Sequence, residues 1–70
     1  MSTASERITV ALIPKAAAEL ALLQERTGLS KTDLANRAIS LYEFIDGEMS
    51  DGREILVRDA DGTVLVVKLL

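Results

Sequence analysis

Arg7-Ile8-Thr9-Val10-Ala11-Leu12-Ile13-Pro14 sets the first decision about this chain. Ile8, Val10 and Leu12 alternate with Arg7, Thr9 and Ala11, and a period of two with β-branched residues predicts a strand over 7–13 with one buried face. Pro14 lacks a backbone donor and holds φ near the helical value, so it ends the strand and suits the first position of a helix. Residues 14–27 are rich in Ala, Leu, Glu, Gln and Lys, and Ala16, Leu20, Leu23 and Thr27 recur at helical spacing. Gly28 follows as a natural C′ residue, able to take the left-handed conformation without steric cost. Residues 1–5 are small and polar with little to bury, and read as a flexible arm.

Beyond Gly28, Leu29-Ser30-Lys31-Thr32-Asp33 opens a second helix, with Ser30 as N-cap and Asp33 in the capping-box position. Leu34, Ala38, Leu41, Tyr42 and Ile45 carry its apolar stripe, which predicts a helix over 31–46 with Tyr42 in the core. Arg37 lies one turn after Asp33 and is expected to pair with it rather than reach outward to a DNA backbone. Residues 47–52, with the Asp46-Gly47 and Asp51-Gly52 turn signals around them, read as a linker.

The period returns to two around Asp59-Ala60-Asp61-Gly62, which predicts a hairpin with strands 54–59 and 63–69. A two-residue Asp61-Gly62 loop would set Arg58 opposite Leu65 and Ile55 opposite Lys68. A three-residue loop with Gly62 as the left-handed bulge residue sets Val57 opposite Leu65, Ile55 opposite Val67 and Glu54 opposite Lys68, which segregates polarity better. One face is then wholly apolar (Ile55, Val57, Leu65, Val67, Leu69), and the other still carries Leu56, Val64 and Val66. The expected organisation is an arm (1–5), a main domain (6–46), a linker (47–52) and a hairpin extension (53–70).

Composition narrows the function. The chain has 70 residues, 49% hydrophobic and 3% aromatic, and a domain of that size rarely gains more than ~3–5 kcal/mol from its core alone. With no Cys and no His, disulfides and the common zinc sites are excluded as reinforcement, so a partner subunit is the expected help. The same zeros exclude thiol nucleophiles, histidine bases and Ser-His-Asp chemistry. The chain is read as a non-enzyme that uses no cofactor or metal. No apolar run of membrane-spanning length and no secretory leader is read, so the expected location is cytoplasmic; association with the nucleoid is expected with a DNA-binding reading. The net charge of −3 is uneven: residues 1–45 balance, and residues 46–70 carry the whole excess. Acidity weakens a DNA-binding reading without removing it, because a few well-placed cations govern phosphate contact.

A lone strand before two helices leaves its backbone groups unpaired. Pairing with the same strand of a second chain solves this and turns Arg7, Thr9 and Ala11 of both chains outward on a two-stranded ribbon. Such a ribbon fits the DNA major groove, where Arg reads guanine, Thr a base edge and Ala a thymine methyl. Free N–H groups, the helix dipole, the Ser30 and Thr32 hydroxyls and Lys31 favour an anion at the start of the second helix.

Residues 6–45 resemble the ribbon-helix-helix repressors, the family of the Arc and methionine repressors and the plasmid copy-control regulators. Arg7-Ile8-Thr9-Val10-Ala11-Leu12 looks like the family's strand, Gly28-Leu29-Ser30-Lys31-Thr32 its interhelical turn, and Leu34, Ala38-Ile39 and Leu41-Tyr42 its second helix. The resemblance implies an α+β fold in the form of an intertwined homodimer, and a transcriptional repressor of double-stranded DNA. Arg7, Thr9 and Ala11 would face bases, and Ser30, Lys31 and Thr32 phosphates. Assembly beyond the dimer, as a tetramer or as several dimers on one site, stays open. Ala11 is short where the family often has a longer polar residue, and the C-terminal hairpin is an addition to the minimal fold. The rival reading is an antitoxin or adaptor whose hairpin, residues 53–70, binds a partner protein. Asp59-Ala60-Asp61-Gly62 lacks the distal ligands of a calcium loop and is read as a turn, and the acids around residues 46–54 as solvated.

Overall fold

The computed structural model describes residues 5–68 and has the order helix, helix, strand, strand: α1 (Pro14–Thr27), α2 (Lys31–Ser50), β1 (Ile55–Arg58) and β2 (Val64–Val67). The class is α+β, but the expected ribbon-helix-helix order is not present. Residues 7–13 form no strand; they run without regular secondary structure into α1, with Ile8, Val10 and Leu12 all exposed. The reason is physical: a strand exists through its ladder of hydrogen bonds to a neighbour, and none of the described residues supplies one to residues 7–13. The alternation is real in sequence, yet it creates no strand by itself.

The chain divides into two units, one ending at Leu34 and the other beginning at Ala35. In the first, Pro14 occupies the opening of α1 after Ile13 (φ −67°, ψ 156°), where its missing N–H costs nothing. The helix stops where the sequence indicates. Gly28 is left-handed (φ 72°, ψ 8°) and its N–H donates to the Gln24 carbonyl at 2.9 Å, while the Thr27 hydroxyl donates to the Leu23 carbonyl at 2.6 Å. Lys15 and Glu19 pair at 2.7 Å on the exposed side, worth about 0.3–0.5 kcal/mol. Ala16, Leu20, Gln24 and Leu29 are half-buried, and Leu34 at 8% is the one buried residue among those described.

In the second unit α2 runs to Ser50, four residues past the expected end at 46. Gly47 is therefore helical, and the turn is confined to Asp51 and Gly52. The actual terminator is Gly52 (φ 86°): its N–H donates to the Met49 carbonyl and that of Arg53 to the Glu48 carbonyl, both at 3.0 Å. This paired arrangement satisfies the last helical carbonyls. Where a hydrophobic contact often accompanies it, Arg53 forms ion pairs with Glu48 (2.9 Å) and Asp51 (3.3 Å) instead. Tyr42, expected in the core, is exposed along with Ile39, Leu41 and Phe44. Of the stripe, Leu34 is buried and Ile45 half-buried, whereas Leu41 and Tyr42 are left uncovered by the described residues.

β1 and β2 pair antiparallel with Ile55 opposite Val67, Leu56 opposite Val66, Val57 opposite Leu65 and Arg58 opposite Val64. This is the three-residue-loop register. The Gly62 N–H closes the turn on the Asp59 carbonyl (3.0 Å), Gly62 takes φ 92°, and the Asp59 N–H donates to the Thr63 carbonyl at 2.7 Å. The strands are shorter than the expected 54–59 and 63–69, and Leu69 lies outside the described residues, as do residues 1–4 of the expected arm. Met49, Ile55 and Val67, all half-buried, share a shallow hollow beside Lys68.

Candidate nucleic-acid interface

The residues with DNA-binding chemistry fall into two groups, before and after α1. Arg7, Thr9 and Ala11 are exposed in the irregular segment leading to Pro14, and Arg7 makes no ion pair among the described residues. A helix of 14 residues is about 21 Å long, so α1 separates Ile13 from Gly28 by roughly that distance. No ladder fixes Arg7, Thr9 and Ala11 to one face, so the single chain does not set them as a reading surface.

The second group is better defined. Gly28 turns the chain, Leu29 is half-buried, and Ser30 caps α2: its Oγ accepts the Asp33 N–H at 3.0 Å and its carbonyl accepts the Leu34 N–H at 3.0 Å. The Leu29 N–H donates to Thr27 Oγ1 at 3.2 Å, which ties the connection to the end of α1. Lys31 and Thr32 follow in the first turn, both exposed, with Asp33 the acidic residue beside them. The geometry combines a cap with a cation and a hydroxyl at the positive end of a 20-residue helix. Asp33 opposes an approaching anion and Lys31 favours it.

Arg37 differs from its sequence reading. The Asp33–Arg37 pair is not among the ion pairs of the described residues, which leaves Arg37 as a further cation on α2. The spacing of four from Asp33 favoured the pair over a reach toward DNA. Arg53 was likewise missed as the residue that closes the end of α2. Glu54 and Lys68, expected to face each other, also form no ion pair among the described residues.

The hairpin turn is a structural element. Asp61 Oδ1 accepts the Thr63 N–H at 2.9 Å, and bonds from the Thr63 backbone and hydroxyl hold its carboxyl below the ordinary value. Among the described residues, no helix is long and apolar enough to cross a membrane. No protein-family model, curated protein or solved structure matches the chain.

Proposed function

We propose that the protein is a sequence-specific DNA-binding transcriptional regulator that works as a homodimer. One observation carries the reading: Arg7, Thr9 and Ala11, residue types that read base edges, alternate with Ile8, Val10 and Leu12, which a single copy leaves exposed. A second copy is the simplest cover for those three side chains, and covering them orders the polar residues between them. Ser30, Lys31 and Thr32 then serve as the phosphate contact, which positions the protein without reading sequence.

The experiment is selection of binding duplexes from a random pool, followed by anisotropy titration of the selected duplex at low and physiological salt. A recovered motif with repeated half-sites and a linear fall of log K with log salt is expected. Arg7→Ala should lose selectivity, by about 1–3 kcal/mol per lost base contact, while the dimer persists. Ser30→Asp keeps a capping acceptor for the Asp33 N–H but puts a carboxylate where a phosphate would approach. It should fold like the parent and bind the duplex at least roughly tenfold more weakly. Parent-like binding by both variants would refute the interface.

A second reading has its own support. Leu56, Val64 and Val66 on one face of the hairpin and Val57 and Leu65 on the other are all exposed, which suits an antitoxin or adaptor that holds a partner protein. Removing residues 53–70 separates the two. Retained DNA binding with loss of a co-purifying protein favours the module.

A further inference from the structure

The two-stranded sheet leaves an open edge on β1, and the hairpin geometry shows which backbone groups occupy it. The Asp59 N–H bonds to the Thr63 carbonyl. With the observed register, Ile55, Val57 and Asp59 therefore turn their backbone groups toward β2. By alternation Glu54, Leu56 and Arg58 turn theirs to the open side. Such an edge is a template for another strand, and Leu56 at its centre is 54% exposed.

The sequence along this edge is complementary to itself. Laid antiparallel on a second copy about Leu56, Glu54-Ile55-Leu56-Val57-Arg58 sets Glu54 opposite Arg58, Ile55 opposite Val57, and Leu56 opposite Leu56. Every charge meets its opposite and every apolar residue meets another. Moving the centre by one residue places Leu56 opposite Glu54 or Arg58 instead. The β2 edge has no such symmetry, since its two-fold centre at Val66 sets Val64 opposite Lys68. Glu54 and Arg58 make no ion pair among the described residues, so both are available to a partner strand. Edge charges of a single sign would repel a second copy, whereas this antisymmetric set admits one register and opposes its neighbours.

We propose that β1 pairs with β1 of a second copy, antiparallel about a two-fold axis at Leu56, giving a four-stranded sheet in the order β2-β1-β1-β2. The Leu56 residues exchange both backbone bonds, and Glu54 and Arg58 pair twice. Ile55, Val57, Leu65 and Val67 of the two copies join on one face. The contact is independent of DNA binding. Where the dimer of the proposed function also forms, it carries two β1 edges, and two dimers that pair both of them close into a tetramer.

The test is the mass of the full chain by sedimentation equilibrium, with amide exchange measured on the same samples. Arg58→Glu sets Glu54 opposite a glutamate and should weaken association roughly tenfold or more, halving the mass at intermediate concentration. The halving runs from four copies to two if the other dimer forms and from two to one if it does not, so failure of the DNA-binding reading stays distinguishable. Glu54→Arg combined with Arg58→Glu should restore the mass, which a folding defect would not allow. In the parent the Leu56 and Arg58 amides should exchange slowly and those of Val64 and Val66 rapidly. Equal mass for the parent and Arg58→Glu, no recovery in the double variant, or a Leu56 amide as fast as that of Val66 would each overturn the proposal.

Discussion

Asp61 and Gly62 act together at the hairpin turn. Gly62 supplies φ 92°, a conformation that L side chains rarely adopt, and Asp61 Oδ1 takes the Thr63 N–H just beyond it. Because Thr63 bonds the charged carboxylate, the folded Asp61 titrates below its ordinary 3.8. A depressed folded value means that the stabilisation is present above 3.8 and is lost as the pH falls through the folded value. An NMR titration should therefore show the Asp61 carboxyl and the Thr63 amide changing together, with a midpoint below 3.8. Asp61→Asn should keep the turn bond and remove that step. A midpoint at or above 3.8 would mean that the bond does not persist in solution. This residue-scale chemistry was legible in sequence as far as the turn type: Gly62 allowed a two- or a three-residue loop, and the polarity of the facing strand residues chose the three-residue one.

At the scale of elements, legibility depended on whether the signals were local. α1 begins and ends where Pro14 and Gly28 indicate, and the hairpin takes the register that segregates polarity, since both depend on neighbouring residues. The end of α2 was misread because Asp46-Gly47 and Asp51-Gly52 carry the same dipeptide signal. Glycine inside a helix costs only about 1 kcal/mol, which Glu48, Met49 and the Gly52 cap evidently offset. Gly47→Ala tests this directly. A Cβ at Gly47 meets nothing within 4 Å, so alanine should raise helicity and stabilise the protein by roughly 0.5–1 kcal/mol. A thermal melt followed by circular dichroism gives the answer, and an unchanged melt would place Gly47 outside the helix. Residues 7–13 are the opposite case: strand formation there requires a neighbour that the described residues do not supply, so the alternation was legible and the structure was not. The candidate site divides the same way. Ser30 and its cap follow from local sequence, whereas any shared surface with Arg7 and Thr9 depends on association.

At the scale of the whole molecule, exposed apolar surface is what motivates the proposed second copy. Fifteen large apolar side chains are exposed among the described residues, from Ile8 to Val66, and Leu34 alone is buried. Covering a side chain such as Leu or Ile contributes about 1.5–3 kcal/mol, so a single copy forgoes most of the stabilisation its composition offers. Association should therefore supply much of the folding free energy, and the melting temperature should rise with protein concentration. For a dimer that unfolds to separate chains, a hundredfold rise in concentration contributes about 2.7 kcal/mol. Two 70-residue chains have an unfolding entropy near 0.3 kcal/mol per kelvin, which translates to a shift of roughly 9 °C. Melts at 1 and 100 µM (about a hundredfold apart) would resolve that shift. A concentration-independent melt would mean that one copy is stable with its apolar faces in water, and both the DNA-binding dimer and the β1 edge contact would lose their energetic basis.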